Sequence, residues 1–152
     1  MSDMMRILCP WCHTINRVPA ARLADGPECG QCHKRLFTGR PTVLTVADFD
    51  MHATRSDIPL VVDFWASWCG PCRMMAPAYE QATKIPEPHV RLAKVNTEED
   101  QALGARFGIQ SIPTVMLLRG GVKWRVNPGS SARRTLCIGS VPICETRTAE
   151  RD

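Results

Sequence analysis

Between residues 41 and 121, short apolar runs alternate with longer segments that mix apolar and polar residues. Apolar runs bounded by turn residues indicate strands, whereas longer mixed segments indicate helices. This pattern predicts strands at 41–46, 60–66, 90–95 and 114–118, and helices at 47–56, 69–84 and 98–107. We expect Pro77 to kink the second helix and Gly108 to end the third. The run 60–66 is almost wholly apolar, as in a central strand covered on both faces, so we expect an α/β domain with a mixed sheet flanked by helices.

Two cysteines stand where the central strand gives way to the second helix, in the sequence Trp68-Cys69-Gly70-Pro71-Cys72. Backbone N–H groups and the helix dipole at a helix N-terminus favour the thiolate form of a cysteine. The second cysteine lies within one helical turn and can form a disulfide with the first. The pattern therefore predicts a dithiol redox centre.

Residues 1–40 contain two further C-x-x-C pairs and few large apolar side chains. The four cysteines are Cys9, Cys12, Cys29 and Cys32. Two such pairs can enclose one zinc ion in a closed tetrahedron of thiolates, which is a structural rather than a catalytic site. We expect Gly30 to permit the tight turn, and we interpret His13 and His33 as lying outside the ligand set. The alternatives are a pair of disulfides or four free thiols.

Composition restricts the environment and the partners. The chain has 152 residues, a net charge of +4 and eight cysteines. It has no apolar run of the ~20 residues that span a bilayer and no apolar leader, so we expect a cytoplasmic location, where cysteines serve metal binding and redox chemistry. Residues 122–152 carry six Lys and Arg against three Asp and Glu, so most of the charge lies there and nucleic acid is not indicated.

The sequence around the dithiol resembles the thioredoxin family, whose active site reads WCGPC. The resemblance implies that Asp63 is buried behind the dithiol and acts as a base toward Cys72. It also implies that a cis peptide at Ile112–Pro113 lies against the disulfide. On this likeness Trp68, Gly70, Pro71, Ile112 and Pro113 contact substrate, while Trp65 packs in the core and Lys94 lies near Asp63. Two alternatives stay open: Asp63 only caps or hydrogen-bonds, and Lys94 is a solvated strand residue.

A zinc-type module followed by a WCGPC domain is similar to bacterial thioredoxin 2, the zinc-containing branch of the family. This likeness implies a protein-disulfide reductase with structural zinc and no bound organic cofactor. Its partners would be disulfide-containing proteins and an NADPH-dependent flavoprotein reductase, with no membrane partner, and it would be a monomer. The rival hypotheses are a zinc-module binding protein or redox sensor on a thioredoxin-like scaffold, and a damaged, inactive copy.

We therefore divide the chain into a four-cysteine module at 1–40, a thioredoxin domain at 41–121 and an atypical tail at 122–152. The tail offers at most a strand at 122–126, because Pro128, Gly129, Gly139 and Pro142 interrupt any helix. With suitable codons, a shifted reading frame can restore a family-like strand and helix start. A frameshift is therefore our preferred account, under which Cys137 and Cys144 have no role, and a divergent extension is the alternative.

Overall fold

The computed structural model describes residues 3–84 and 87–120 in full and residues 122–128 as backbone. The N-terminal part, residues 3–40, is called the ribbon here; it contains the antiparallel strands β1 (Met4–Leu8) and β2 (Ile15–Pro19), followed by a 3-10 helix at Ala20–Asp25. Its small core contains Ile7, Val18, Leu23 and Leu36, together with cysteine side chains. This core is far smaller than that of an independent domain.

The second part, called the sheet domain here, is a five-stranded sheet with three helices. In chain order its elements are β3 (Thr42–Val43), α1 (Phe49–Thr54), β4 (Leu60–Trp65), α2 (Gly70–Thr83), β5 (Arg91–Asn96), α3 (Gln101–Arg106), β6 (Thr114–Arg119) and β7 (Val122–Pro128). The strand order is β3-β5-β4-β6-β7, with β3, β5 and β4 parallel and β6 and β7 antiparallel to their neighbours. The predicted mixed sheet is confirmed.

The central strand β4 is buried on both faces, as its apolar sequence predicts. On one face Val62 and Phe64 pack with Phe49 of α1 and Leu103 of α3. On the other face Val61 packs with Tyr79 of α2. Helices on both faces therefore hold the strand that leads to the dithiol.

Element boundaries differ from the predicted ones mainly because α1 and α3 are short, at six residues each. Pro77 lies inside α2. Gly108 follows α3 with a left-handed φ of 61°, so the predicted helix end is confirmed. Strand β7 reaches Pro128, slightly beyond the predicted 122–126. Cys137, Cys144 and the rest of the tail from residue 129 lie outside the described residues.

The ribbon is joined to the sheet domain by side-chain contacts. Ile58, just before β4, is part of the ribbon core. Arg6 in β1 pairs with Asp57 at 3.0 Å, and the backbone N–H of Asp57 donates to the carbonyl of Arg6 at 2.9 Å. The segment that leads into the central strand therefore also packs against the ribbon.

Candidate active site and metal site

Cys69 and Cys72 lie where the sequence predicts, at the junction of β4 and α2. Cys69 is the N-cap residue of α2, and the backbone N–H of Cys72 donates to its sulfur at 3.2 Å. The two cysteines are joined by a disulfide, and both residues are buried. A sulfur in this position receives N–H groups and the positive end of the helix dipole, which stabilise a thiolate after reduction.

Asp63 lies in β4, and only 1% of its surface is exposed. Burial raises the pKa of its carboxyl group to about 7, although the nearby Lys94 acts in the opposite direction. Its Oδ1 atom is buried without a hydrogen-bond partner among the described residues. The raised pKa lets the carboxyl group exchange a proton near neutral pH.

Lys94 occupies the position in β5 that pairs with Asp63 in β4. Its Nζ atom lies 4.6 Å from the ring centroid of Trp65, which is half-buried and packs against the two cysteines. The positive charge thus sits over an aromatic face beside the buried carboxyl group. This geometry favours the family-like interpretation of Lys94 over that of a solvated strand lysine.

A loop before β6 covers the disulfide. The Ile112–Pro113 peptide is cis, as the resemblance implied. The Sγ atom of Cys69 lies 3.6 Å from the carbonyl oxygen of Ile112. Beside the disulfide, Trp68 is 68% exposed and lines an open groove of about 450 Å³. The groove continues along Thr97, Gln101, Gly104, Ala105 and residues 109–112. Of the residues expected to contact substrate, the groove contains Trp68 and Ile112.

The four N-terminal cysteines form one cluster, as predicted. Their sulfur atoms all lie within 4.8 Å of one another, with Cys9 and Cys32 at 3.5 Å and Cys12 and Cys29 at 3.6 Å. A tetrahedron with Zn–S bonds of about 2.3 Å has edges of about 3.8 Å, so the donor set fits zinc. Spacing and ligand type both match a closed structural site.

Hydrogen bonds to sulfur favour the thiolate form of Cys29, whereas at Cys9 burial outweighs them and raises the pKa of the thiol to about 12. Backbone N–H groups donate to Cys9 from Trp11 at 3.3 Å and to Cys29 from Gln31 at 3.4 Å. Burial alone would raise the pKa of Cys29, but hydrogen bonds from Cys32, Asn16 and Gln31 lower it to about 6. Such donors orient the ligands and stabilise their charge.

The expected role of Gly30 in the turn is wrong. The left-handed residues are His13 (φ 62°) and His33 (φ 64°), each directly after the second cysteine of its pair. Gly30 does not adopt a left-handed conformation; its N–H donates to Asn16 Oδ1 at 2.9 Å. The turn is closed by backbone bonds from His13 to Cys9 and from His33 to Cys29, which require no glycine.

No pattern in the sequence indicates the contacts that His13 and Arg91 make. His13 Nδ1 lies 2.9 Å from Nε2 of the buried His52, and His13 Nε2 lies 3.2 Å from Asp48. Burial, followed by the charges of Arg91 and His13, lowers the pKa of His52 to about 3, so it is neutral at ordinary pH. Arg91 is buried at the start of β5 and donates to ribbon carbonyls. Both contacts join residues distant in sequence.

A disulfide at a helix N-terminus, on a mixed sheet and against a cis-proline loop, defines a thiol–disulfide oxidoreductase of the thioredoxin fold. Comparison with known families agrees with this class. The chain belongs to the thioredoxin family, since the model of that family, described as Thioredoxin, matches residues 40–137. A second family model, a zinc ribbon described as "Thioredoxin 2, N-terminal", matches residues 8–34. The thioredoxin match reaches past residue 121, so the likeness extends further than we expected from the sequence.

Individual relatives are also thioredoxins. Thioredoxin C-3 of Corynebacterium nephridii is 45% identical over 114 residues, covering 75% of this chain and 78% of the relative. Thioredoxin 1 of a Nostoc species is 41% identical over 93 residues, covering 61% and 87%. Among solved structures, a thioredoxin of Malassezia sympodialis is similar with a TM-score of 0.57 at 30% identity, covering 60% of this chain and 81% of that one.

Within the described residues, the structure contains no helix of the length and apolar character needed to cross a membrane.

Proposed function

We propose that the protein is a general protein-disulfide reductase that works through Cys69 and Cys72. The observation that carries the proposal is the position of Cys69 at the N-terminus of α2, with the N–H of Cys72 donating to its sulfur. That position favours a thiolate on Cys69 in the reduced protein. The exposed Trp68 beside it gives a surface on which a protein substrate can dock.

Two exchange steps account for the reaction. The Cys69 thiolate attacks one sulfur of a substrate disulfide, so that a mixed disulfide forms and one substrate thiolate leaves. The Cys72 thiol then loses its proton and attacks the Cys69 sulfur, so that the Cys69–Cys72 disulfide forms and the second substrate thiolate leaves. The substrate gains two electrons and the dithiol loses two.

Asp63 is the proposed base for the second step. Its carboxyl group is buried in the strand behind the dithiol, and burial raises its pKa to about 7. A base with a pKa near the working pH is ionised often enough to accept the proton and basic enough to hold it. Lys94 would keep the Asp63 carboxyl group ionised in a larger fraction of the molecules, because its charge opposes the effect of burial.

Substrate contacts are proposed for Trp68, Gly70, Pro71, Ile112 and Pro113. Gly70 has open space where a Cβ atom would stand, so a substrate backbone could approach closely. The carbonyl of Ile112 faces the Cys69 sulfur and could accept a hydrogen bond from an extended substrate. Specificity would therefore come from backbone contacts and from the apolar face of Trp68.

Zinc is the proposed occupant of the ribbon, held by Cys9, Cys12, Cys29 and Cys32. Four thiolates leave no open ligand position, so bound zinc would stabilise the ribbon without taking part in exchange. Regeneration is assigned to an NADPH-dependent flavoprotein reductase, the usual partner of this family. We further propose that the protein is a cytoplasmic monomer.

The test is insulin reduction driven by dithiothreitol. We expect turnover by the wild-type chain, none by Cys69→Ser, and accumulation of a mixed disulfide by Cys72→Ser. Cys12→Ser is the matched control, because it removes a cysteine of the ribbon and should leave turnover largely intact. Turnover equal in the wild type and Cys69→Ser would refute the proposal. Little turnover by the wild type, with zinc lost at mild peroxide doses, would favour a redox-sensing binding module; no activity and no stable fold would favour a damaged copy.

A further inference from the structure

A buried cation joins the ribbon to the sheet domain. Arg91 is the first residue of β5, and only 3% of its surface is exposed. Its Nη1 atom donates to the carbonyl of Leu36 at 2.8 Å, and its Nη2 atom donates to the carbonyl of Leu8 at 2.9 Å. The guanidinium group also lies 4.8 Å from the ring centroid of Phe37. One side chain of the sheet domain thus contacts two separate segments of the ribbon.

Those two segments flank the two cysteine pairs. Leu8 ends β1 and directly precedes Cys9. Leu36 follows the second pair, and its N–H donates to the carbonyl of Pro27, just before that pair begins. The guanidinium fork therefore fixes the backbone next to each half of the sulfur cluster. Because a planar fork holds two acceptors at once, it can set the distance between the two halves.

Within the described part of the chain, the charge of Arg91 has one long ion pair: the Oε1 atom of Glu87 lies 4.0 Å from its Nη1 atom, at the edge of ion-pair range. Burial lowers the pKa of Arg91 to about 10, whereas Glu87 and Cys9 raise it, so the group stays charged at neutral pH. A buried charge is costly unless opposite charge lies nearby. Zn²⁺ with four thiolates has a double negative formal charge and would supply it.

We propose that Arg91 is a positioning residue for the metal site: its guanidinium group docks both halves of the ribbon on the sheet domain and thereby slows the release of zinc. This inference rests on the proposal that the four cysteines bind zinc. It adds that zinc retention depends on a residue of the thioredoxin domain far from the ligands in sequence. The ribbon is then a docked part of the protein rather than an independent module.

The test measures transfer of zinc from the full-length, zinc-loaded chain to an excess of a coloured chelator at fixed pH. The zinc content of the wild type is determined first, since a chain without zinc would refute the zinc proposal itself. Arg91→Met removes the charge and the fork but keeps an unbranched apolar stem. Arg91→Lys keeps the charge but cannot hold both carbonyls in one plane. Arg106→Met is the matched control, because Arg106 is exposed and pairs with Asp50 within the sheet domain.

We expect Arg91→Met to release zinc at least tenfold faster than the wild type, Arg91→Lys to be intermediate, and Arg106→Met to match the wild type. Amide hydrogen exchange should rise in residues 34–40 of Arg91→Met, while insulin reduction stays within about twofold. Wild-type zinc release by both Arg91 variants would overturn the proposal. Equal losses of zinc and insulin turnover in both variants would also overturn it, because they would indicate a general folding defect. If Arg91→Met does not fold, Arg91→Lys decides, since it retains the stem and the charge.

Discussion

Replacing Asp63 with asparagine tests whether the buried carboxyl group is kept at a cost to stability. The carboxyl group is 1% exposed, and its Oδ1 atom has no hydrogen-bond partner among the described residues. Burial disfavours the ionised form, and Lys94 offsets only part of that effect, so the pKa is about 7 in the folded chain. The ordinary value, which applies in the unfolded chain, is 3.8. The folded state therefore binds this proton more tightly than the unfolded state.

The sign of the pH dependence follows from this difference. Below pH 3.8 both states hold the proton and Asp63 has no pH-dependent effect on stability. As the pH rises toward about 7, the unfolded chain releases the proton and the folded chain does not, so the free energy of unfolding falls. Above about pH 7 the loss is constant. A pKa change from 3.8 to about 7 corresponds to about 4 kcal/mol, and Asp63→Asn should recover much of it.

The assay is denaturant unfolding of the oxidised, zinc-saturated wild type and Asp63→Asn at pH 5 to 9. We expect the variant to be more stable at pH 8 by up to about 4 kcal/mol, with the difference shrinking as the pH falls. Asp57→Asn is the control with the opposite sign. Hydrogen bonds from Arg6 lower the pKa of Asp57 below its ordinary value of 3.8, so that carboxylate stabilises the fold throughout pH 5 to 9, and Asp57→Asn should be less stable than the wild type by the same amount at each pH. A pH-independent difference for Asp63→Asn, or lower stability at pH 8, would refute the reasoning.

Three further outcomes follow from the same geometry. Lys94→Met removes the charge that opposes burial, so the pKa of Asp63 should rise further, and the pH–rate profile of insulin reduction should move to higher pH. His33→Gly removes the strain of a left-handed side chain at φ 64°, and the greater freedom of glycine in the unfolded chain offsets part of that gain, so the free energy of unfolding should rise by less than about 1 kcal/mol. His13→Gly should instead lower it in the same unfolding experiment, since it also removes the contacts to His52. Trp68→Ala should raise KM for insulin several-fold and change kcat less, because the exposed ring offers binding surface. A fall in kcat with an unchanged KM would contradict that role.

The central strand and the dithiol were predictable because their signals are local. An unbroken apolar run requires cover on both faces, and residues 60–65 are indeed a central strand. Cys69 and Cys72 stand at a strand–helix junction, so their place at a helix N-terminus followed from element order alone. Spacing likewise predicted the four-sulfur cluster, since two C-x-x-C pairs bring their thiolates to a common point only if the ribbon folds back on itself.

The turn chemistry of the ribbon was not predictable from the usual glycine rule. Gly30 lies inside its cysteine pair, where the glycine rule predicts that it permits the tight turn, yet the left-handed residues are His13 and His33. Hydrogen bonds from their backbone N–H groups to Cys9 and Cys29 stabilise the turn. Those bonds, with zinc in the proposed state, can offset the strain of about 1–2 kcal/mol that a left-handed side chain brings.

The role of Arg91 depends on a contact across the chain. In sequence it is one charged residue at the start of an apolar strand, which is typical of a solvated strand end. Its burial depends on the ribbon, whose Leu8 and Leu36 carbonyls accept its hydrogen bonds. Sequence periodicity describes which face of an element is covered, but it contains no information about a distant segment that covers the end of that element.

The same strand connects the two chemical sites. β5 begins at Arg91, which contacts the ribbon, and three residues later it presents Lys94 opposite Asp63 in β4. β5 is paired with β4 at six positions, from Arg91 to Asn96, so a displacement of Arg91 would also shift the residues that follow it in the strand. The insulin assay of the Arg91 variants therefore carries information beyond folding. A small change in its pH profile, with zinc release strongly altered, would mean that the ribbon affects Asp63 through β5; an unchanged profile would mean that the sheet isolates the dithiol from the metal site.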